Sequence, residues 1–358
     1  MTAKPRPLAY FLSALALALA LALALALALA PVPARAQDAE GWFDRGVPTF
    51  GGLWMWTDVV IHDEWRIQQH AVTGRFRLID PNERRFESGE FETCLEVLDA
   101  KKAELKLPRG PRHVVIVMHG LGANRHIMSG LCDFLREKGG LAVINFGYAS
   151  TMKDIDAYAA ALDSVVRHLD GVERVSFVAH SMGNIVVRKY LKDLEPLAPA
   201  MRPPVAFQRF VMISPPNHGA ELADTLTSHE VTEDIAEWFV GEPARQLAPQ
   251  RGWPELEAQL ATPRFEFGII AGGKGDDEGY LDVIPGDDDG MLSVATMRLD
   301  GAADFLRVEC LHQRMPWNDA VRAATLSFLR SGYFVTADSR QPIAADAALP
   351  QISALPSP

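Results

Sequence analysis

The chain opens on an apolar run, Leu8 to Ala30, made mostly of alternating Leu and Ala. A period of two would suit a strand, but a low-complexity run defines no register, so no strand is read there. Lys4 and Arg6 precede the run. Pro31, Pro33 and the small-residue triplet Ala34-Arg35-Ala36 follow it. A positive start, an apolar stretch and an A-x-A site form the layout of a secretory signal, here residues 1–36. The run of about 23 residues is also long enough for a hydrocarbon core of about 30 Å, so an uncleaved anchor is the alternative. Either way the folded part is expected beyond the cytoplasmic membrane, periplasmic or extracellular.

Residues 37–110 read as a strand-and-helix extension. Asp58–His62 and Arg75–Ile79 run apolar or alternate, as strands do. Thr73-Gly74 and Asp80-Pro81-Asn82 are turn chemistry. Ser88 is placed to cap a helix whose Phe91, Cys94, Leu95 and Leu98 share one face. Trp42, Trp54, Trp56 and Trp65 are expected in a core rather than around a ligand.

From 111 to 335 the rhythm is regular. Short apolar, branched runs fall at 114–118, 141–145, 175–179, 210–213, 265–270 and 305–308. Helical periodicity falls at 155–169, 185–194 and 321–329. Strands alternating with helices predict a mostly parallel sheet covered on both faces, an α/β fold. Residues 221–262 break the rhythm as a helix-prone, acidic, cap-like insertion. A Trp238-Phe239-Val240 segment there would suit either a lid over an acyl chain or core packing. Residues 336–358 are rich in Pro, Ala and Ser and are expected to be a disordered tail.

Composition narrows the function. There are 35 basic and 46 acidic residues, a net charge of −11. An acidic chain argues against nucleic-acid binding, which needs a basic face for phosphates. Three cysteines, Cys94, Cys132 and Cys310, sit near apolar residues. Burial as free thiols is the default reading, and one bridge with an unassigned pair is the alternative.

The chemistry concentrates in Ala179-His180-Ser181-Met182-Gly183, set between a strand and a helix. A serine hydroxyl is a weak nucleophile, so it must stand clear of the chain where a base can reach it. A sharp strand–turn–helix elbow does this, and it demands small residues two positions away on each side, here Ala179 and Gly183. The amide of Met182 then opens the helix toward a developing oxyanion. A second donor is expected from His119-Gly120-Leu121-Gly122, directly after the first parallel strand. There Gly120 lets the backbone approach a substrate carbonyl, and the Leu121 amide is the candidate donor. His119 reads as structural.

These motifs, together with Ser-Pro-Pro-Asn-His-Gly at 214–219 and Asp-Gly-Met-Leu-Ser-Val at 289–294, resemble the α/β-hydrolase superfamily and its lipase-like bacterial branch. The resemblance covers roughly residues 110–332. It implies a chain order of Ser, acid, His. The acid would follow a late strand, where Asp287, Asp288 and Asp289 compete. The similarity points to Asp289, the one before Gly290. His312 lies in the loop after the last strand, and no histidine follows it. His180 and His218 are rival bases and are assigned instead to substrate binding, with Gly120; an ordinary loop histidine is the alternative for His218. The implied activity is hydrolysis of a carboxylic ester by Ser181, His312 and Asp289, acting on a small-molecule or lipid ester, with contact to a lipid surface in the lid reading. An acyltransferase with the same triad and a non-catalytic binding module on this fold are the alternatives.

Two weaker patterns carry less. Gly272-Gly-Lys-Gly275 lacks the spacing and the Ser or Thr of a phosphate loop. The clustered carboxylates of the acidic stretch 276–289 would suit calcium, but the ligand spacing and central Gly of a calcium loop are missing, so a solvated loop is the reading and calcium the alternative; no other metal and no cofactor is expected.

Overall fold

The chain divides into two units, Met1–Asp44 and Arg45–Pro358. The structure, a computed structural model, describes residues 47–48, 54–220, 242–250 and 252–344, all in the second unit. The signal-like segment therefore lies outside the described residues. So do Trp42, the Trp238-Phe239-Val240 segment and most of the expected insertion.

The apolar runs become one six-stranded parallel sheet. Its strands are β6 (His113–Met118), β7 (Val143–Phe146), β8 (Arg174–His180), β9 (Ala206–Ile213), β10 (Glu266–Gly273) and β11 (Asp304–Glu309), in the spatial order β11-β10-β9-β8-β6-β7. The sheet is buried because apolar side chains leave it on both faces. Ile116, Phe177 and Phe210 enter one core, and Val115, Val178 and Val211 the other. Helices α2 (Ser129–Glu137), α3 (Ile155–Arg167), α4 (Met182–Leu194) and α6 (Asp319–Ser331) flank it, and the short α5 (Trp253–Glu257) precedes β10. The side chain of Asp154 caps α3, and Asn318 caps α6, each accepting from first-turn amides.

The strand order changes direction between β6 and β8. From β6 the chain runs outward to β7, then returns past β6 to β8 and continues the other way. At such a switch point the strand ends part and leave a crevice at their carboxyl edge. His119–Leu121 and Ser181 stand at that edge, on the two strands that bound it.

The N-terminal extension is a five-stranded antiparallel sheet, ordered β1-β5-β4-β3-β2, followed by α1 (Phe91–Leu105). Its strands are Val47–Pro48, Trp56–His62, Trp65–His70, Phe76–Ile79 and Arg84–Gly89. Trp65 and Phe86 pack edge to face, 4.9 Å between centroids, as core aromatics. Ser88 does not cap α1: it lies in β5, the cap position falls on Glu90, and no side chain caps the helix. The helix instead ends on Lys106 in a left-handed conformation, whose N–H bonds the Lys102 carbonyl.

This sheet is tied to the parallel sheet by buried polar groups. The Asp58 carboxylate accepts from Arg66 at 2.5 Å, Gln68 at 2.7 Å and the Gly147 amide at 2.8 Å. The Gln68 carbonyl in turn accepts from Arg77 at 2.9 and 2.7 Å. An isolated buried charge would be costly; here the carboxylate and Arg66 satisfy one another and the backbone.

Residues 336–344 correct the expected start of the disordered tail. Thr336 and Ser339 form a capping box, the Gln341 amide bonds Asp304 at 2.8 Å, and the Ile343 amide bonds the Ala302 carbonyl at 2.9 Å. Residues 345–358 lie outside the described residues. Cys94, Cys132 and Cys310 are buried free thiols. Burial pushes the Cys94 and Cys132 thiols up to about 11 and about 12, which leaves them protonated and unreactive.

Candidate active site

Ser181 sits between β8 and α4 with φ 54° and ψ −129°. A non-glycine residue at such a φ stores strain, of order 1–3 kcal/mol, and persists only where its surroundings hold it. Three contacts do so. The Ser181 amide bonds the Ile213 carbonyl at 2.9 Å. The Asn184 side chain donates to the carbonyls of Ser181 at 2.9 Å and Ile213 at 3.2 Å. Gly183 leaves no room for more: a Cβ there would stand 2.6 Å from the His119 carbonyl oxygen. This is the physical need for a small residue after the serine. Ala179, on the other side, is fully buried.

The turn after β6 is shaped by His119. Its Nδ1–H donates to the Gly120 carbonyl at 2.9 Å, and its Nε2 accepts the Tyr148 amide at 3.4 Å. Tyr148 stacks on the ring, 4.2 Å between centroids, and its hydroxyl donates to the His119 carbonyl at 2.6 Å. In a trans peptide the C=O and the next N–H point opposite ways. Turning the Gly120 carbonyl toward the His119 ring therefore turns the Leu121 amide away from it. Neither that amide nor the Met182 amide has a protein acceptor among the described residues. Burial pushes the His119 imidazole down to about 4, so it stays neutral and structural.

The acidic run resolves into three separate environments. Asp287 accepts from the Lys274 and Gly275 amides at 2.7 and 3.0 Å and lies 3.5 Å from Arg307. The glycine-rich loop 272–275 thus cradles an anion of its own chain. Asp288 is fully buried and accepts from the Gly290 amide at 2.6 Å and the Leu281 amide at 3.1 Å. Asp289, also fully buried, stands beside the histidine: its Oδ2 accepts from His312 Nδ1 at 2.7 Å. Its Oδ1 accepts from Met291 at 3.1 Å and Leu292 at 2.9 Å. Gly272 makes space for this arrangement, since a Cβ there would stand 2.8 Å from that of Asp289. At the other end of the acidic stretch, Asp276 pairs with Lys274 at 2.9 Å.

His312 begins a 3₁₀ turn, His312–Trp317, after β11. Its amide donates to the Asp289 carbonyl at 2.8 Å. With Nδ1 committed to Asp289, its Nε2 is the nitrogen left for a substrate or nucleophile. His180, the neighbour of Ser181, lies against it with ring centroids 4.8 Å apart. The Ser181 hydroxyl makes no hydrogen bond among the described residues, and such contacts commonly close only when substrate binds.

His218 lies elsewhere in character. It is exposed, with Nδ1 3.4 Å from Glu257. Its neighbour Asn217 is fully buried, donating to the Met297 carbonyl at 2.9 Å and accepting from Arg188 at 3.1 Å. Tyr148 and Asp58 belong to no motif that marks them in the sequence. The available signal for Tyr148 was its place just past β7, where the strand ends of the crevice gather.

Residues 108–236 match the family described as "Putative serine esterase (DUF676)", a segment well under half of the chain. No protein of curated function matches. Among solved structures, the propeptide form of the Bacillus licheniformis lipase BlEst2 is 18% identical with a TM-score of 0.47, over 68% of this chain and 54% of that one. The aligned part therefore spans about half of that lipase. The phospholipase PlaB of Legionella pneumophila is 18% identical with a TM-score of 0.43, over 62% and 57% of the two chains. The Staphylococcus hyicus lipase is 12% identical with a TM-score of 0.42, over 60% and 91%. With its parallel sheet and strand–turn–helix elbow, the chain has an α/β-hydrolase fold, and over residues 108–236 it resembles the serine esterase family.

Proposed function

We propose that the protein is an exported serine hydrolase that cleaves carboxylic esters through an acyl-enzyme. The observation that carries this reading is the buried Asp289–His312 pair, 2.7 Å apart, at the same sheet edge as the strained Ser181 elbow. His312 takes the Ser181 proton through Nε2 as the hydroxyl oxygen attacks the ester carbonyl. Asp289 holds the imidazole in the Nδ1–H tautomer and stabilises its protonated form. The Leu121 and Met182 amides receive the oxyanion, each worth about 3–4 kcal/mol in the transition state. The alkoxide leaves with the proton from His312. Water, deprotonated by His312, then attacks the acyl carbonyl and frees the acid and Ser181.

Gly120 contributes to substrate binding by letting the turn after β6 lie directly against Ser181, so that the backbone beside the nucleophile meets the substrate carbonyl. His218 is exposed beside the segment that leads into the insertion, a position suited to contact with the substrate's outer part. The reaction needs no cofactor, and a lipid ester would suit a base flanked in the chain by the exposed apolar side chains of Leu311 and Trp317. The layout of residues 1–36 supports export, whether the segment is cleaved or kept as an anchor.

The test is a panel of p-nitrophenyl esters of graded chain length, run on the wild type and on Ser181→Ala. Turnover that disappears in a folded Ser181→Ala protein is expected. Equal turnover by both would reject the assignment. Adding competing alcohols separates hydrolysis from acyl transfer.

A further inference from the structure

The motif explains why residues 179 and 183 are small. It gives no reason for a histidine at 180. That side chain is 4% exposed, yet it is one of the most polar available. Its Nε2 lies 3.0 Å from the His312 carbonyl oxygen, across 132 residues of chain. A carbonyl can only accept, so Nε2 must carry the hydrogen. Nδ1 then holds a lone pair, and it is buried without a partner among the described residues. The ring is therefore anchored by one bond, and that bond ends on the backbone of the candidate base.

We infer that His180 is a positioning residue for His312, donating through Nε2–H to the His312 carbonyl and so fixing the imidazole's direction toward Ser181. The inference rests on the ester-hydrolase reading above. His312 is held at three points. Its amide is tied to the Asp289 carbonyl, its Nδ1 to the Asp289 carboxylate, and its carbonyl to His180. The first two come from the acidic loop. The third comes from the residue next to the nucleophile. It is thus the link that carries the position of Ser181 to the base. Without it the base could shift with its loop while keeping Asp289.

The chemistry of His180 also suits a place beside a base. Desolvation holds its imidazole well below the usual histidine range, so it stays neutral. A charged ring 4.8 Å from His312 would repel the imidazolium formed in the transition state. His180 supplies a donor with no net charge. Its free Nδ1 lone pair is enclosed, so it does not compete as a base.

The test compares His180→Leu, which keeps bulk and loses the donor, with His180→Gln, whose amide can restore one. Steady-state kinetics on a short-chain p-nitrophenyl ester and the rate of fluorophosphonate labelling are read on the full chain. Expected for His180→Leu is a fall in kcat of about 10- to 100-fold, the size of effect a displaced catalytic group produces. KM should stay within about twofold, labelling should slow in parallel, and His180→Gln should recover most of the loss. A folded His180→Leu protein with unchanged kcat and labelling would overturn the inference, as would equal losses in the two variants. If His180→Leu does not fold, ¹⁵N-histidine NMR of the wild type decides. A neutral Nε2–H tautomer for His180 is expected, and an Nδ1–H tautomer refutes the inference. Wild-type protein with neither turnover nor labelling would instead remove the ester-hydrolase reading, and this inference with it.

Discussion

Gly120 and Ser181 are packed so closely that a Cβ on Gly120 would stand 2.7 Å from the Ser181 Cβ and 3.2 Å from its hydroxyl oxygen. The turn after β6 and the elbow after β8 are therefore fitted to each other without slack. Gly120→Ala must displace either the nucleophile or the Leu121 amide. The expected outcome is a folded protein whose kcat falls by about 100-fold or more. Stopped-assay kinetics alongside a thermal melt checks this. Normal kcat in the alanine variant would show that the turn has freedom that the packing denies it.

The three adjacent aspartates should separate sharply in function. Asp289→Asn leaves the His312 Nδ1 proton without its carboxylate, and kcat should drop by about 10⁴-fold. Asp288→Asn retains a carbonyl that can accept only part of the Gly290 and Leu281 bonds, so it should lower the melting temperature more than kcat. Asp287→Asn keeps an oxygen for the Lys274 and Gly275 amides and weakens the 3.5 Å pairing with the exposed Arg307, so it should change either quantity little. Parallel kinetics and melts on the three variants rank them. A larger kcat loss at 287 or 288 than at 289 would move the acid.

Tyr148 offers a test of the peptide that carries the Leu121 amide. Tyr148→Phe keeps the ring stacked on His119 and removes the bond to the His119 carbonyl. The expected loss is about tenfold in kcat, smaller than deletion of an oxyanion donor because the amide is only misaimed. Affinity for a trifluoromethyl ketone, which forms a tetrahedral adduct, should fall in step with kcat while KM holds. A change in KM alone would assign Tyr148 to substrate binding.

Buried histidines set an acid limit on stability, and burial lowers His62 as well as His119 and His180. His119 titrates at about 4 in the folded chain, and His180 is also held well below the usual range near 6.5. Between those values the unfolded chain binds protons that the folded chain refuses. Stability contributed by these neutral rings is therefore complete above about pH 6.5 and declines as pH falls toward 4. Urea midpoints should drop over that range, and His119→Gln should flatten part of the slope. A wild-type midpoint independent of pH from 6.5 to 4.5 would contradict the burial argument.

Much of the parallel sheet could be read from the chain, because its strands are apolar on both faces. The elbow was legible for the same reason: it joins such a strand to an amphipathic helix. β3 and β5 were not. Arg66 and Gln68 occupy buried positions in β3 because they pair with Asp58 and Arg77, and a buried polar partner looks like a surface residue until the fold is known. The choice among Asp287, Asp288 and Asp289 turns on which backbone amides each meets, and these are set by turn geometry rather than by residue type. The role of His180 required knowing that residue 312 returns beside it.

The central claim is that Ser181 is a nucleophile activated by His312. The most direct measurement is mass spectrometry of the protein after incubation with a fluorophosphonate. One adduct on the peptide containing Ser181 is predicted, absent in Ser181→Ala and slowed by about 10³-fold or more in His312→Ala. An unmodified wild-type protein, or an adduct on a different serine, would contradict the account.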